Sequence, residues 1–246
     1  LLKWEKENIF AIIINYRLQM KKIVFLFFLT ISAFVANAQS FSSHAPDYKS
    51  IKKSIENPSS EFYYPNLMER YQNGDSSLTR EERSYLYYGY VFHPDYMPLD
   101  TSSYNNRLME TLSKESFTSV DYEKLIGDAD ALLKEDPFNL RALNIKLMVY
   151  AQQDNVAEYK KAFAQRKVVL DAIVSSGDGL SKKTPYYVIN VSHEYDFLSS
   201  IGYQVVGEGK ITGHYHYVKL GENKYGIKGL YFDITPVLEY MSKHRR

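Results

Sequence analysis

Residues 122–173, YEKLIGDADALLKEDPFNLRALNIKLMVYAQQDNVAEYKKAFAQRKVVLDAI, decide how the chain is read. Tyr122, Leu125, Ile126, Ala129, Leu132 and Leu133 recur at helical spacing. Asp136-Pro137 ends that run, because proline disfavours a helical residue before it. Asn139 caps a second helix carrying Leu143, Leu147 and Tyr150. Asp154-Asn155 turns the chain into a third, with Tyr159, Phe163, Leu170 and Ile173, which stops at Gly177-Asp178-Gly179. Three helices joined by tight turns are antiparallel neighbours. Leu125, Leu133, Leu143, Leu147 and Phe163 are expected to form one buried cluster between them.

Upstream, the pattern is helical but interrupted. Tyr48, Ile51 and Ile55 share a helical face that ends at Asn57-Pro58, and Leu67, Met68 and Tyr71 make another short helix ending at Asn73-Gly74. Thr79-x-x-Glu82 is a capping box, in which hydroxyl and carboxylate each satisfy a free backbone N–H, and it opens a helix with Tyr85, Leu86 and Tyr88. His93-Pro94 and Met97-Pro98 break the pattern, and polar Asp100 to Asn106 reads as loop.

Downstream, the period changes. Tyr186–Val191, Tyr203–Val206, Ile211–Leu220 and Tyr225–Ile234 read as strands, with a short helix from Ser192 to Ile201 after the first. Gly221-Glu222-Asn223 links the last two strands as a hairpin. Thr235-Pro236 starts a short helix with a basic end. The fold class is therefore α+β: a mostly helical part over 44–178, then a small antiparallel sheet and C-terminal helix over 184–246.

Asp136-Pro137-Phe138-Asn139-Leu140-Arg141-Ala142-Leu143, with Leu147, Tyr150, Tyr159 and Phe163, resembles a tetratricopeptide repeat, although Tyr159 stands where a small residue is usual. Leu78-Thr79-x-Glu81-Glu82, running into Leu86-Tyr87-Tyr88-Gly89-Tyr90, and the late Tyr231-Phe232-Asp233 are similar to a domain-of-unknown-function family of exported proteins from Bacteroides-type bacteria. That resemblance implies export and a helical-plus-β fold, and no activity.

Export is also read from the residues themselves. Met20-Lys21-Lys22 is a basic n-region, Ile23–Val35 an apolar run, and Ala36-Asn37-Ala38 the small-residue site before Gln39. The apolar run is shorter than the roughly 20 residues of a spanning helix. Residues 20–38 are thus expected to be a signal peptide, 1–19 an over-extended upstream piece, and 39–246 a single exported domain in the periplasm or outside the cell.

There is no cysteine, so disulfides, thiol catalysis, cysteine-ligated metals and an N-terminal lipid anchor are all excluded. The charge is nearly balanced, 30 basic against 29 acidic side chains with no basic stripe, so capture of nucleic acid or anionic lipid is not expected. Tyrosine is abundant, 23 in the chain beside a single tryptophan, Trp4; its apolar body and polar tip suit packing between elements as well as binding surfaces.

Chemical motifs are sparse. His193-Glu194 begins like a zinc-protease helix, but Phe197 stands where the second ligand belongs. Gly207-x-Gly209 fails the dinucleotide pattern, Lys210 lacks phosphate-loop spacing, and no G-x-S-x-G elbow is present. The one constellation is His214 and His216, which share a strand face; with His193 or Glu208 as a third ligand they would start a metal site. The reading preferred is that Tyr215 and Tyr217 face the core and the two imidazoles face water, with no metal and no cofactor. The function so read is a non-catalytic interaction or structural protein with a protein or glycan partner outside the cytoplasm. The alternatives are a carbohydrate-binding protein using exposed tyrosines, or a hydrolase whose carboxylate pair is set only in three dimensions.

Overall fold

A computed structural model of the chain describes residues 44–99 and 101–244. The expected signal peptide, upstream piece and cleavage junction before Gln39 all lie outside the described residues. The described residues form one compact unit, and its class is α+β.

Among the described residues seven α-helices come first: α1 (Tyr48–Ile55), α2 (Tyr64–Gln72), α3 (Arg80–Gly89), α4 (Ser103–Leu112), α5 (Ser119–Glu135), α6 (Leu140–Gln152) and α7 (Val156–Ser176). The boundaries follow local chemistry. Thr79 and Glu82 form the expected capping box at α3, Thr118 and Asp121 form a second at α5, and Asn139 accepts from Ala142 N at α6. One helix departs from expectation. The polar stretch read as loop contains the start of α4, which Ser102 caps and which buries Asn105, Leu108 and Thr111. Helices α4 to α7 pack each on the next, and α7 also packs on α3.

The rest is β1 (Tyr186–Tyr187), α8 (Ser192–Ser200), β2 (Lys210–Thr212), β3 (Tyr215–Lys219), β4 (Gly229–Asp233) and α9 (Thr235–Lys243). The sheet order is β1-β4-β3-β2. The β2–β3 and β3–β4 pairs are antiparallel as expected, but β1 joins β4 in parallel, so the sheet is mixed. The run 211–220 is not one strand. Gly213, at φ +63°, opens a two-residue loop with His214 between the paired Thr212 and Tyr215, the geometry of a II′ hairpin turn.

That hairpin fixes which sheet face is buried, and it is not the tyrosine face. His216, Val218, Leu230 and Phe232 are buried, whereas Tyr215, Tyr217 and Tyr231 are half-buried on the opposite side. Val218 and Leu220 share the parity of His216, while Lys219 shares that of the tyrosines. The apolar area of Val218 and Leu220, with Phe232 from the neighbouring strand, outweighs two tyrosine rings whose hydroxyls would need partners.

The main core runs between the helices and the inner sheet face and includes Tyr71, Leu86, Tyr87, Tyr88, Phe138, Leu143, Val169, Ile173, Phe197 and Phe232. A second cluster, with Leu108, Leu125, Leu132 and Val149, lies among α4, α5 and α6. The single cluster expected between the middle helices is therefore divided. Leu125 and Leu143 fall in different clusters, Leu133 packs against both, Leu147 is only half-buried, and Phe163 is 44% exposed and stacked on Tyr159. A helix that packs on both sides needs a wider apolar stripe than one seam, and the periodicity alone does not say which side each leucine serves.

Much of the tyrosine content goes into this core. The Tyr71 hydroxyl donates to the Pro137 carbonyl at 2.6 Å and that of Tyr88 to the Ala172 carbonyl at 3.1 Å, so each ring buries apolar area while its polar tip is satisfied. Among the described residues no helix is long and apolar enough to cross a membrane.

Candidate functional site

The α5–α6 turn, Asp136 to Asn139, is built by the residues that end one helix and begin the next. Asp136 N–H closes α5 on the Leu132 carbonyl at 2.8 Å, and the Asp136 carboxylate accepts from Phe138 N at 3.3 Å. Asn139 Oδ1 is occupied by the helix cap, so its amide Nδ2 is turned toward Asp136 Oδ2, at 3.1 Å. Asn190 repeats the arrangement from the other side. Its Oδ1 accepts from Ser192 N and Oγ, each at 3.0 Å, leaving Nδ2 to face Asp136 Oδ2 at a long 3.5 Å. Two buried amides thus fix one carboxylate whose side chain stays 16% exposed.

Asp136, Asn139 and Asn190 form part of the wall of a cleft of about 1030 Å³. The lining also draws on residues 91–97, Leu99, 101–103 and Asn105 and on α9, with Glu239, Tyr240 and Lys243. Tyr96 is pinned by its hydroxyl to the Ile189 carbonyl at 2.6 Å and meets Tyr240 edge-on, with centroids 5.8 Å apart. Burial and the Asp136 charge push the Tyr96 hydroxyl pKa upward, so it stays protonated and donating.

Behind the cleft lies a buried polar layer. His193 has no exposure, and Tyr87 Oη lies 2.7 Å from its Nδ1. Tyr87 Oη also receives Ile189 N–H at 3.4 Å, so the hydroxyl proton goes to His193 Nδ1 and the imidazole proton sits on Nε2. Asp136 Oδ2 is 3.9 Å from that Nε2. Burial pushes the His193 pKa down to about 3, so the ring is neutral. The next residue, Glu194, is equally buried. It accepts a hydrogen bond from His216 Nδ1, and burial raises its pKa despite that partner. Gly209 leaves no room for a β-carbon against the His216 ring.

The three histidines singled out in sequence therefore go to three places. His193 faces Tyr87, His216 faces Glu194, and His214, in the hairpin turn, is 47% exposed with its Nε2 3.6 Å from Asp233 Oδ2. Glu208 is exposed in the segment before β2. Among the described residues no three His, Asp or Glu side chains gather as a metal site. Of the residues now seen at the cleft, Asp136 and Asn139 were legible in sequence only as a helix end and a cap.

A family model for a domain of unknown function (DUF4919) matches residues 49–243. The chain belongs to that family. The match begins in α1 and ends with α9, so it spans the helical part, the sheet and all of the cleft lining except Tyr48 and His244. The family carries no assigned function. No curated protein and no solved structure matches the chain.

Proposed function

We propose that this protein is an exported, non-catalytic binding protein that takes its ligand in the cleft lined by Asp136, Asn139, Asn190, Tyr96 and α9. The observation that carries the reading is the cleft itself: about 1030 Å³, with a floor carboxylate held by side chains whose own positions are fixed. Ligand sites commonly have this size and this mixture of apolar wall and few oriented polar groups. Preorganised side chains of this kind bind without first being ordered. Export is supported by the basic, apolar and small-residue order from Met20 to Ala38, and by the similarity to exported proteins of Bacteroides-type bacteria. The tetratricopeptide-like reading of α5 to α7 is supported by the short turns and successive packing, and it places the cleft floor at the turn of that hairpin.

The test is a thermal-shift screen of short glycans, peptides and amines on the chain starting at Gln39, beside the variant Ser103→Trp, whose indole fills the cleft rim from an exposed position. A compound that stabilises the parent and not the variant is the expected result. Compounds that stabilise both equally would place binding elsewhere and retire the cleft.

A glycan surface on the sheet is the second reading, because Tyr187, Tyr215, Tyr217 and Tyr231 stand half-exposed on its outer face. The Tyr217 and Tyr231 rings are tilted 49° to each other, which is not a flat stacking platform. Loss of a screened glycan in Tyr217→Ala, with binding kept in Ser103→Trp, would favour it.

A further inference from the structure

Arg166 on α7 differs from the arginines that meet an acid. Arg70, Arg83, Arg107 and Arg141 each lie within ion-pair distance of a carboxylate. Arg166 is half-buried, and among the described residues its side chain makes one hydrogen bond, from Nε to Asn144 Oδ1 of α6 at 2.6 Å. Residues three, four and seven positions from Arg166 on α7, and three or four from Asn144 on α6, include no Asp or Glu. The next acid along α7, Asp171, is engaged by Arg83 and Lys167. Burial lowers the Arg166 pKa, and the Tyr159 hydroxyl acts against that shift. A shielded cation whose partner is a neutral amide gains from an anion. The Nη atoms have no partner and are not buried, so they face solvent. With Nε held by Asn144, the guanidinium is oriented in advance to offer both of them to one carboxylate.

Apolar surface lies beside this cation. Phe163, one turn before Arg166, is 44% exposed and stacked on Tyr159 with 13° between the ring planes. Helices α6 and α7 pack through a short turn and run antiparallel, with Asn144 opposite Arg166. Met148, four positions after Asn144, is therefore carried to the level of Phe163, and it too is exposed. Neighbours one helical turn apart have β-carbons about 5–6 Å from each other. A charge and an apolar group at that spacing are both carried by the last residue of a peptide, its free carboxylate and its side chain standing on one α-carbon.

We propose that the α6–α7 face is a second binding site, for a peptide C-terminus with an apolar last residue, its carboxylate on Arg166 and its side chain against Phe163 and Met148.

Binding would be followed by NMR chemical shifts of the chain starting at Gln39. The probes are N-acetyl-Ala-Ala-Phe with a free carboxylate, the same peptide as its C-terminal amide, and N-acetyl-Glu-Ala-Phe amide, which moves the carboxylate to a side chain. The free acid should bind at least ~10-fold more tightly than either amide, weaken at high salt, and shift the amides of Asn144, Met148 and Phe163. Arg166→Gln should cost about tenfold or more, and Arg166→Lys, which keeps the charge and loses the fork, should fall between it and the parent. Because Arg166 is also packed, Phe163→Ala supplies a variant at an exposed position; it should fold unchanged and weaken the acid by a few-fold. Ser103→Trp should bind the acid as the parent does, which separates this site from the cleft. Equal binding of the acid and its amide, no binding of the acid, or loss of its binding in Ser103→Trp overturns the proposal. Binding of the glutamate peptide as tight as that of the acid overturns the commitment to a chain end.

Discussion

Protonation of His193 should set how steeply this protein loses stability in mild acid. The ring is fully buried, accepts from Tyr87 Oη, and has its pKa pushed down from the ordinary 6.5 to about 3. In the unfolded chain the same imidazole takes a proton as the pH falls through 6.5, while the folded one does not until about 3. Below 6.5 the unfolded state therefore binds the extra proton, and stability falls by about 1.4 kcal/mol per pH unit. Between pH 7.5 and 4.5 the loss from this one group comes to roughly 2.5–3 kcal/mol. Glu194 acts in the opposite sense, because its raised pKa means that the cost of burying its charge is relieved as the pH falls. The two are separated by His193→Asn, whose side-chain oxygen can still accept from Tyr87. The assay is urea unfolding followed by far-UV circular dichroism at several pH values, for parent and variant. The variant starts less stable because it leaves a cavity, but it should lose roughly 2.5–3 kcal/mol less across that window. Identical pH slopes would refute the argument that His193 is folded as a neutral, desolvated ring.

Three further outcomes are expected. Phe138→Ala, at the meeting point of Tyr71, Tyr87 and Tyr90, should cost about 3–5 kcal/mol in urea unfolding, while Phe163→Ala on the exposed side of α7 should stay within about 1 kcal/mol. Gly209→Val should push the His216 ring from Glu194, giving a lower Tm and a shifted His216 imidazole resonance, whereas the same change at Gly202 should leave that resonance in place. Expressed from Met20 in its own host, the protein should show an intact mass that begins at Gln39; a product retaining Lys21-Lys22 would contradict cleavage.

Most of the helical part was legible because its boundaries are written in local chemistry: the Thr79–Glu82 box, the Asp136-Pro137 stop and the Asn139 cap act over a few residues. Helix α4 was hidden because its start is polar and its buried face rests on Asn105, Leu108 and Thr111 rather than on a run of large apolar residues. The sheet face was misjudged from Tyr215 and Tyr217, although Val218 and Lys219 already carried the answer by parity. Gly213 was the overlooked signal for the turn that divides β2 from β3. The cleft was not legible at all. Its wall draws on Tyr48, Tyr96, Ser103, Asp136, Asn190 and α9, which only tertiary packing brings together. Asn139 and Asn190 each spend one end of the amide on a local cap or turn, and their role toward Asp136 follows from what the other end must then face.

The central claim, that the cleft is where this protein meets its ligand, is tested most directly by native mass spectrometry of the protein recovered from its own host without refolding. The parent should carry a bound small molecule or short chain that is absent from Ser103→Trp prepared in the same way. The same adduct on both proteins, at the same occupancy, would contradict the claim.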